Sequence, residues 1–288
     1  MTFDEVRFEA LGSACHVLGV GLERGRLAWA TAWVAERHDR FSRFEPDSEL
    51  SRLNAAAGRW TDVSPELEGL LRAAFDAHRL SGGLVHAGVL GSMLAIGYTR
   101  PLRLGPTAAT LAGAAPPPPL PDMLEVEPGR ARLRAGTGVD LGGIAKGWLA
   151  DRLAAELGQN CLVNLGGDLF ARGAGPEGEG WPVAVGELPQ PSRGRTGEEG
   201  NSPTVLLLAD QGAATSGVRR RAWQDGDEAL HHLIDPRTGR PARTDLSQVS
   251  VVAPTAAEAE VHAKAALLLG SGLAPAHLAA HALAWRLQ

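Results

Sequence analysis

The chain has 288 residues, 44% of them apolar and 21% charged, the ordinary balance of a globular protein with room for one large or two modest domains. A net charge of −5 offers no basic surface of the kind nucleic acid requires, and no run approaches the roughly 18 apolar residues of a membrane span. The two cysteines, Cys15 and Cys161, sit in apolar, strand-like runs without a CxxC or CxxH neighbourhood. That argues against a zinc site or a disulfide scaffold and for buried thiols.

In chain order, residues 4–22 alternate and predict a pair of strands. The N-terminal segment lacks the basic start and apolar stretch of a secretory signal, so the expected location is the cytoplasm. A helix is predicted over 24–38, then a turn at Glu45–Pro46–Asp47 and a short helix opened by Ser48. Ser64 reads as the N-cap of an amphipathic helix stopped by Gly82–Gly83. The stretch from Gly105 to Pro121, with four consecutive prolines, reads as a low-complexity loop. Short strands are expected at Leu124–Val126 and Ala131–Leu133, longer ones in Cys161–Gly173, Trp181–Leu188, TVLLLAD and SQVSVVAP, with a polar loop at Pro189–Pro203. A last helix runs from about Thr255 to Leu269. Strand pairs mixed with helices, without regular βαβ alternation, predict an α+β fold rather than a doubly wound sheet.

The segment from Gly136 to Leu157, GTGVDLGGIAKGWLADRLAAEL, carries the most chemistry. A glycine-rich turn with one acid, Asp140, enters a helix whose first turns hold Lys146. Gly142, Gly143 and Gly147 let a ligand approach backbone N–H groups, and the helix N-terminus favours negative charge. Lys146 adds a point charge suited to phosphate, while Ile144, Trp148, Leu149, Leu153 and Leu157 recur at helical spacing and define a core face. A plain strand-to-helix connection with a surface lysine accounts for the segment equally well.

Four more segments gather polar groups. Asn164–Asp168 surrounds a double glycine, and a hairpin turn explains it without function. Ala214–Gly217 supplies Thr215 and Ser216 and is followed by Arg219, Arg220 and Arg221; a capped turn explains the hydroxyls. His231–Pro241 combines imidazoles, an acid and a rigid turn, with Asp235 suited to capping it. Glu260 and Lys264 stand four apart on the final helix, the favourable order for an exposed pair.

Together these segments resemble the ApbE family, the FAD:protein FMN transferases. The resemblance runs in order through FSRFEPDSELSRLN, SGGLVHAGVLGSMLAIGY, VDLGGIAKGWLADRLAAEL, NLGGDLFARG, ATSG, HHLIDPRTGRPA and AEVHAKAALLLG. It implies one ApbE-like, T-fold-like unit over 1–288, mixed sheets and helices around a central FAD site, with a division into two subdomains near 105–121 as the alternative. The implied reaction moves FMN from FAD onto a Thr or Ser hydroxyl of an acceptor flavoprotein and releases AMP. FAD contacts are implied at Asp140, Gly143, Lys146, Leu84, Val85, His86, Asn54, Thr215, Ser216, Leu233 and Ile234. The resemblance makes His232 the reactive histidine and Asp235 the acid beside it, and histidine suits a base working near neutral pH.

The chain departs from the family where magnesium is expected. The family builds that site around a backbone carbonyl of the DLGG turn and an Asp and a Thr on the late helix; here the positions are Gly143, Glu260 and Lys264. An ammonium cannot ligate magnesium and repels it. Lys264 is therefore expected to reach the FAD pyrophosphate and take over part of the cation's role, with Glu260 orienting it. At Val85–Gly88 an expected acid is replaced by His86. The chain also ends with HLAAHALAWRLQ where the family carries a longer hairpin. FAD hydrolysis to FMN and AMP, or non-catalytic FAD binding, are the alternatives to transfer. An NAD-dependent oxidoreductase is disfavoured, because DLGGIAKG is not GxGxxG.

Overall fold

The structure is a computed structural model that describes residues 3–111, 113–185, 204–219, 221–226 and 228–288. Seven strands form one sheet whose spatial order follows chain order: β1 (Asp4–Ala10), β2 (Ser13–Gly19), β3 (Cys161–Leu165), β4 (Asp168–Arg172), β5 (Gln211–Gly217), β6 (Gln248–Ala253) and β7 (Ala284–Leu287). Every neighbouring pair is antiparallel. The long helices are α1 (Arg26–Phe41), α2 (Glu49–Ala55), α3 (Pro65–Leu80), α4 (Ala145–Leu157) and α5 (Ala256–His281).

Strand periodicity sorts the core into two faces. Cys161, Val163 and Leu165 of β3 pack with apolar residues of α1, α3 and α4. Val249, Val251 and Ala253 of β6 pack on the same side against Ala259, Ala263 and Leu267 of α5. The alternate residues Leu162, Leu169 and Val252 meet Trp181, Val183 and Leu208 from a separate hairpin, Trp181–Val185 paired with Thr204–Leu208. Helices therefore cover one face of the sheet and a hairpin covers the other. Cys15 and Cys161 are both buried, and burial pushes each thiol up to about 11.

Local signals position most elements. Ser48 and Ser64 cap α2 and α3 by accepting from the N–H groups of Ser51 and Leu67. At the start of α5, Asp151 of α4 accepts from the N–H groups of Ala256 and Ala257 at 2.8 and 3.0 Å. A Cβ on Gly147 would meet the Ala256 carbonyl oxygen at 2.5 Å, so only glycine permits this crossing of α4 and α5. Gly270 breaks α5 with a φ of 74°, close to the expected end at Leu269, and Ser271 restarts it with its N–H on Asp245.

Four expectations change. The first helix begins at Arg26 and continues to Phe41. The Pro-rich stretch is irregular as expected, but Leu120–Met123 closes it with a helical turn. Thr215–Gly217 is not a capped turn: it belongs to β5, where the Thr215 hydroxyl meets that of Ser250 at 2.9 Å. The C-terminal HLAAHALAWRLQ completes α5 and then adds the edge strand β7. The loop expected at Pro189–Pro203, the end of the strand expected at Trp181–Leu188, and Arg220 lie outside the described residues.

Candidate functional site

The glycine-rich turn before α4 holds Asp140 firmly. Its backbone N–H donates to the Ala87 carbonyl at 2.8 Å, and one carboxylate oxygen accepts from the Gly142 N–H at 2.8 Å. The other oxygen accepts from Arg43 Nε at 2.5 Å. Arg43 also donates to the Tyr98 carbonyl and lies 4.1 and 4.6 Å from the ring centroids of Phe44 and Tyr98. Stacking and a charged hydrogen bond together fix the guanidinium. Asn54 secures the same turn from α2: its amide donates to the Val139 carbonyl at 2.9 Å and accepts from the Val139 N–H at 2.8 Å.

Further along, the ammonium of Lys146 donates to Asp168 and approaches Glu260 Oε1 at 3.3 Å. The local hairpin reading of Asn164–Asp168 holds, since Gly166 and Gly167 both have positive φ and Asn164 accepts from the Gly167 N–H. The turn nonetheless delivers Asp168 to this cluster. Glu260 Oε2 accepts from the Gly147 N–H at 2.9 Å, and Oε1 lies 3.6 Å from Lys264 Nζ. Lys264 itself donates to the carbonyl oxygen of Gly143. Burial opposes ionisation of Glu260, but Lys146 and Lys264 outweigh it and keep its carboxyl below the usual range. Burial draws both ammonium groups downward against the pull of Glu260.

His232 is half-buried beside these cations. Burial first, then Arg221, Lys264, His231 and Lys146, drive its pKa well below the ordinary histidine value, so the imidazole is neutral at pH 7. Its Nδ1 is buried and without a hydrogen-bond partner among the described residues. Arg221 donates to Ser13 Oγ at 2.9 Å, bracing the β1–β2 turn, and its charge acts on His232, Lys146 and Lys264.

The remaining expected residues divide. Val85 is buried with its N–H on Ser81 Oγ, and the Leu84 N–H bonds the Ser81 carbonyl. His86 accepts from the Gly88 N–H and donates to the Pro118 carbonyl at 3.1 Å; burial and His78 bring its pKa to about 4. This segment borders a cavity of about 580 Å³ lined by Arg43, Asn54, Gly88, Ser92 and Pro117. Leu233 packs in the α5 core, whereas Ile234 packs with Met93, Ile96 and Tyr98. Ser216 is buried in β5, and Thr215 is engaged with Ser250. Asp235 does not bond His232. It accepts from the N–H and guanidinium of Arg237, whose Nη2 also donates to the Leu268 carbonyl, tying the turn to α5.

The donors expected for magnesium do not fit the ion. The Gly143 carbonyl is taken by an ammonium, and Glu260 lies between two lysines. Among the described residues no group of three His, Cys, Asp or Glu side chains is arranged to hold a metal. Asp140, Asp168 and Glu260 face Arg43, Lys146, Lys264 and Arg221, so the cluster is positive by one charge before any ligand arrives. Such a centre suits a phosphate anion and disfavours a divalent cation.

Arg43 and Arg221 are the residues that sequence reasoning missed. Arg43 lies in the FSRF segment, and Arg221 in an arginine run that gives no hint which member turns inward.

The ApbE family model matches residues 11–285. This chain belongs to the ApbE family. A family relative, the FAD:protein FMN transferase of Treponema pallidum, is 32% identical over 254 residues, 78% of this chain and 66% of the relative. The FAD:protein FMN transferase of Escherichia coli is 37% identical over 136 residues, 46% of this chain and 37% of that protein. The chain thus spans just under two thirds of the first relative's length and little over a third of the second's. The apo flavinyl transferase ApbE of Pseudomonas stutzeri has the same α+β fold, with a TM-score of 0.78 over 96% of this chain and 88% of its own at 22% identity.

Proposed function

We propose that this chain is an FAD:protein FMN transferase, moving FMN from FAD to a Thr or Ser hydroxyl of an acceptor flavoprotein. The observation that carries the reading is a half-buried imidazole, its Nδ1 shut from solvent and its pKa lowered, beside a cluster of net positive charge. The acceptor oxygen attacks the phosphorus of the FMN half, and its proton passes to His232. The pyrophosphate bond to the AMP half breaks, and AMP leaves with that bond's electrons. Lys146, Lys264 and Arg221 offset the charge that builds on the phosphoryl oxygens and leaving group. Arg43 and Asn54 keep the Asp140 turn in register for the nucleotide. No step is assigned to magnesium, because its expected donors are engaged elsewhere.

The test is incubation with FAD and a flavin-acceptor domain, following AMP by chromatography and the acceptor by mass. AMP released in step with a flavin-sized mass gain on the acceptor supports transfer. AMP and free FMN without modified acceptor assigns FAD hydrolysis instead, and bound FAD without AMP assigns a carrier.

A further inference from the structure

We infer that Lys264 is a built-in cation that makes this flavin site independent of a divalent metal. The inference rests on the flavin-transfer reading and concerns how that site handles pyrophosphate charge. Three observations converge on it. Lys264 reaches across from α5 to the carbonyl oxygen of Gly143, so the ammonium occupies the backbone acceptor around which the family's metal site is built. Gly143 is shaped for it: a Cβ there would meet Lys264 Nζ at 2.6 Å and Cε at 3.4 Å. The ammonium is also held on its other side, with Glu260 Oε1 at 3.6 Å and Glu260 in turn anchored on the Gly147 N–H at 2.9 Å.

This arrangement costs the site its capacity for a metal and preserves the positive charge. Among the described residues Glu260 is the one carboxylate within 4 Å of both lysines, while Asp168 is bound to Lys146 and Asp140 to Arg43. A divalent ion entering at Gly143 would have to displace the ammonium and, among the described residues, would gain no uncommitted carboxylate. An ammonium presents three donors. With one on Gly143 and one toward Glu260, the third has no partner among the described residues and can serve a phosphate oxygen. Unlike a diffusible ion, this charge is present in every molecule and needs no loading.

The experiment measures FAD affinity by flavin fluorescence quenching, and AMP release, for the unaltered chain in EDTA and in excess magnesium chloride. Expected is an FAD Kd that moves by less than about threefold between the two conditions, with AMP release retained in EDTA. Lys264→Gln should weaken FAD binding by about tenfold or more in EDTA, the usual scale for losing one charge-assisted hydrogen bond. Lys264→Thr, which frees the Gly143 carbonyl and offers a hydroxyl, should bind FAD more tightly when magnesium is added.

FAD binding by the unaltered chain that strengthens about tenfold or more with magnesium, or AMP release abolished by EDTA, overturns the inference and leaves flavin transfer standing. So does Lys264→Gln with unchanged affinity. No FAD binding in either buffer would instead overturn the flavin reading, and this inference with it. The two-buffer comparison uses the unaltered chain, so the outcome survives a variant that fails to fold.

Discussion

Burial and four neighbouring basic groups keep the His232 imidazole uncharged, and its Nδ1 has no partner within the described residues. A residue so isolated contributes little to holding the turn, so His232→Ala should retain FAD binding while AMP release falls by about 100-fold or more. Calorimetry with FAD and a chromatographic AMP assay separate the two effects; unchanged turnover would remove His232 from the mechanism. The pH profile follows from the same displacement. Because the free imidazole protonates only well below 6.5, the acid limb of kcat/KM for AMP release should lie well below that of an ordinary histidine. An acid limb at 6.5 or higher would mean that another group supplies the base. Asn54 belongs to this scale too. Asn54→Ala removes both hydrogen bonds to Val139 and should lower stability by about 1–3 kcal/mol, read from denaturant midpoints at constant m.

Between elements, the crossing of α4 and α5 sets the site, since it brings Lys146 and Glu260 within 3.3 Å. Gly147→Ala forces the two helices apart against the Ala256 carbonyl and should cost about 1–3 kcal/mol. It should also weaken FAD binding, because Glu260 loses the Gly147 N–H as α5 shifts; a variant as stable and as tight as the parent would refute this account of the crossing. The elements themselves were largely legible. Ser64 before an apolar period of 3.6 announces α3, and alternation announces the strands, because both signals are local. The site was legible only in part. Lys264 stood out through its type at a position where the family expects a metal ligand. Arg43 did not: its partner Asp140 is 97 residues away, and nothing local to either marks the pairing. Thr215 was misread for a related reason, since a Thr-Ser-Gly run looks like a turn until Ser250 pairs with it across two strands.

Over the whole molecule, burial lowers the pKa of several histidines, and the clearest case, His262, stands on α5 between Glu260 and Lys264. His262, before the Gly270 break in α5, meets His277 and His281 from after it, with ring centroids 4.8 to 5.1 Å apart. Burial and the other two imidazoles bring His262 down to about 4. Its folded pKa is below its unfolded value near 6.5, so the unfolded chain takes up the proton first as pH falls. The stabilisation is complete above pH 6.5 and is lost progressively towards pH 4. The expected contribution is about 2–3 kcal/mol, and His262→Gln should flatten that part of the stability curve. Equal slopes for the two proteins in urea titrations from pH 7 to 4 would refute it.

The two thiols on neighbouring strands give this chain an internal gauge of its own opening. Cys15 and Cys161 are buried in β2 and β3 on the helix-covered face, burial pushing both thiols up to about 11. Few molecules expose a reactive thiolate until the sheet separates from its helices. The rate at which a thiol reagent modifies the native protein therefore counts the excursions of that core into solvent. A ligand such as FAD that binds only the folded chain should slow the count by the same factor by which it stabilises the folded state, so a chemical clock already in the sequence reports ligand affinity without a label.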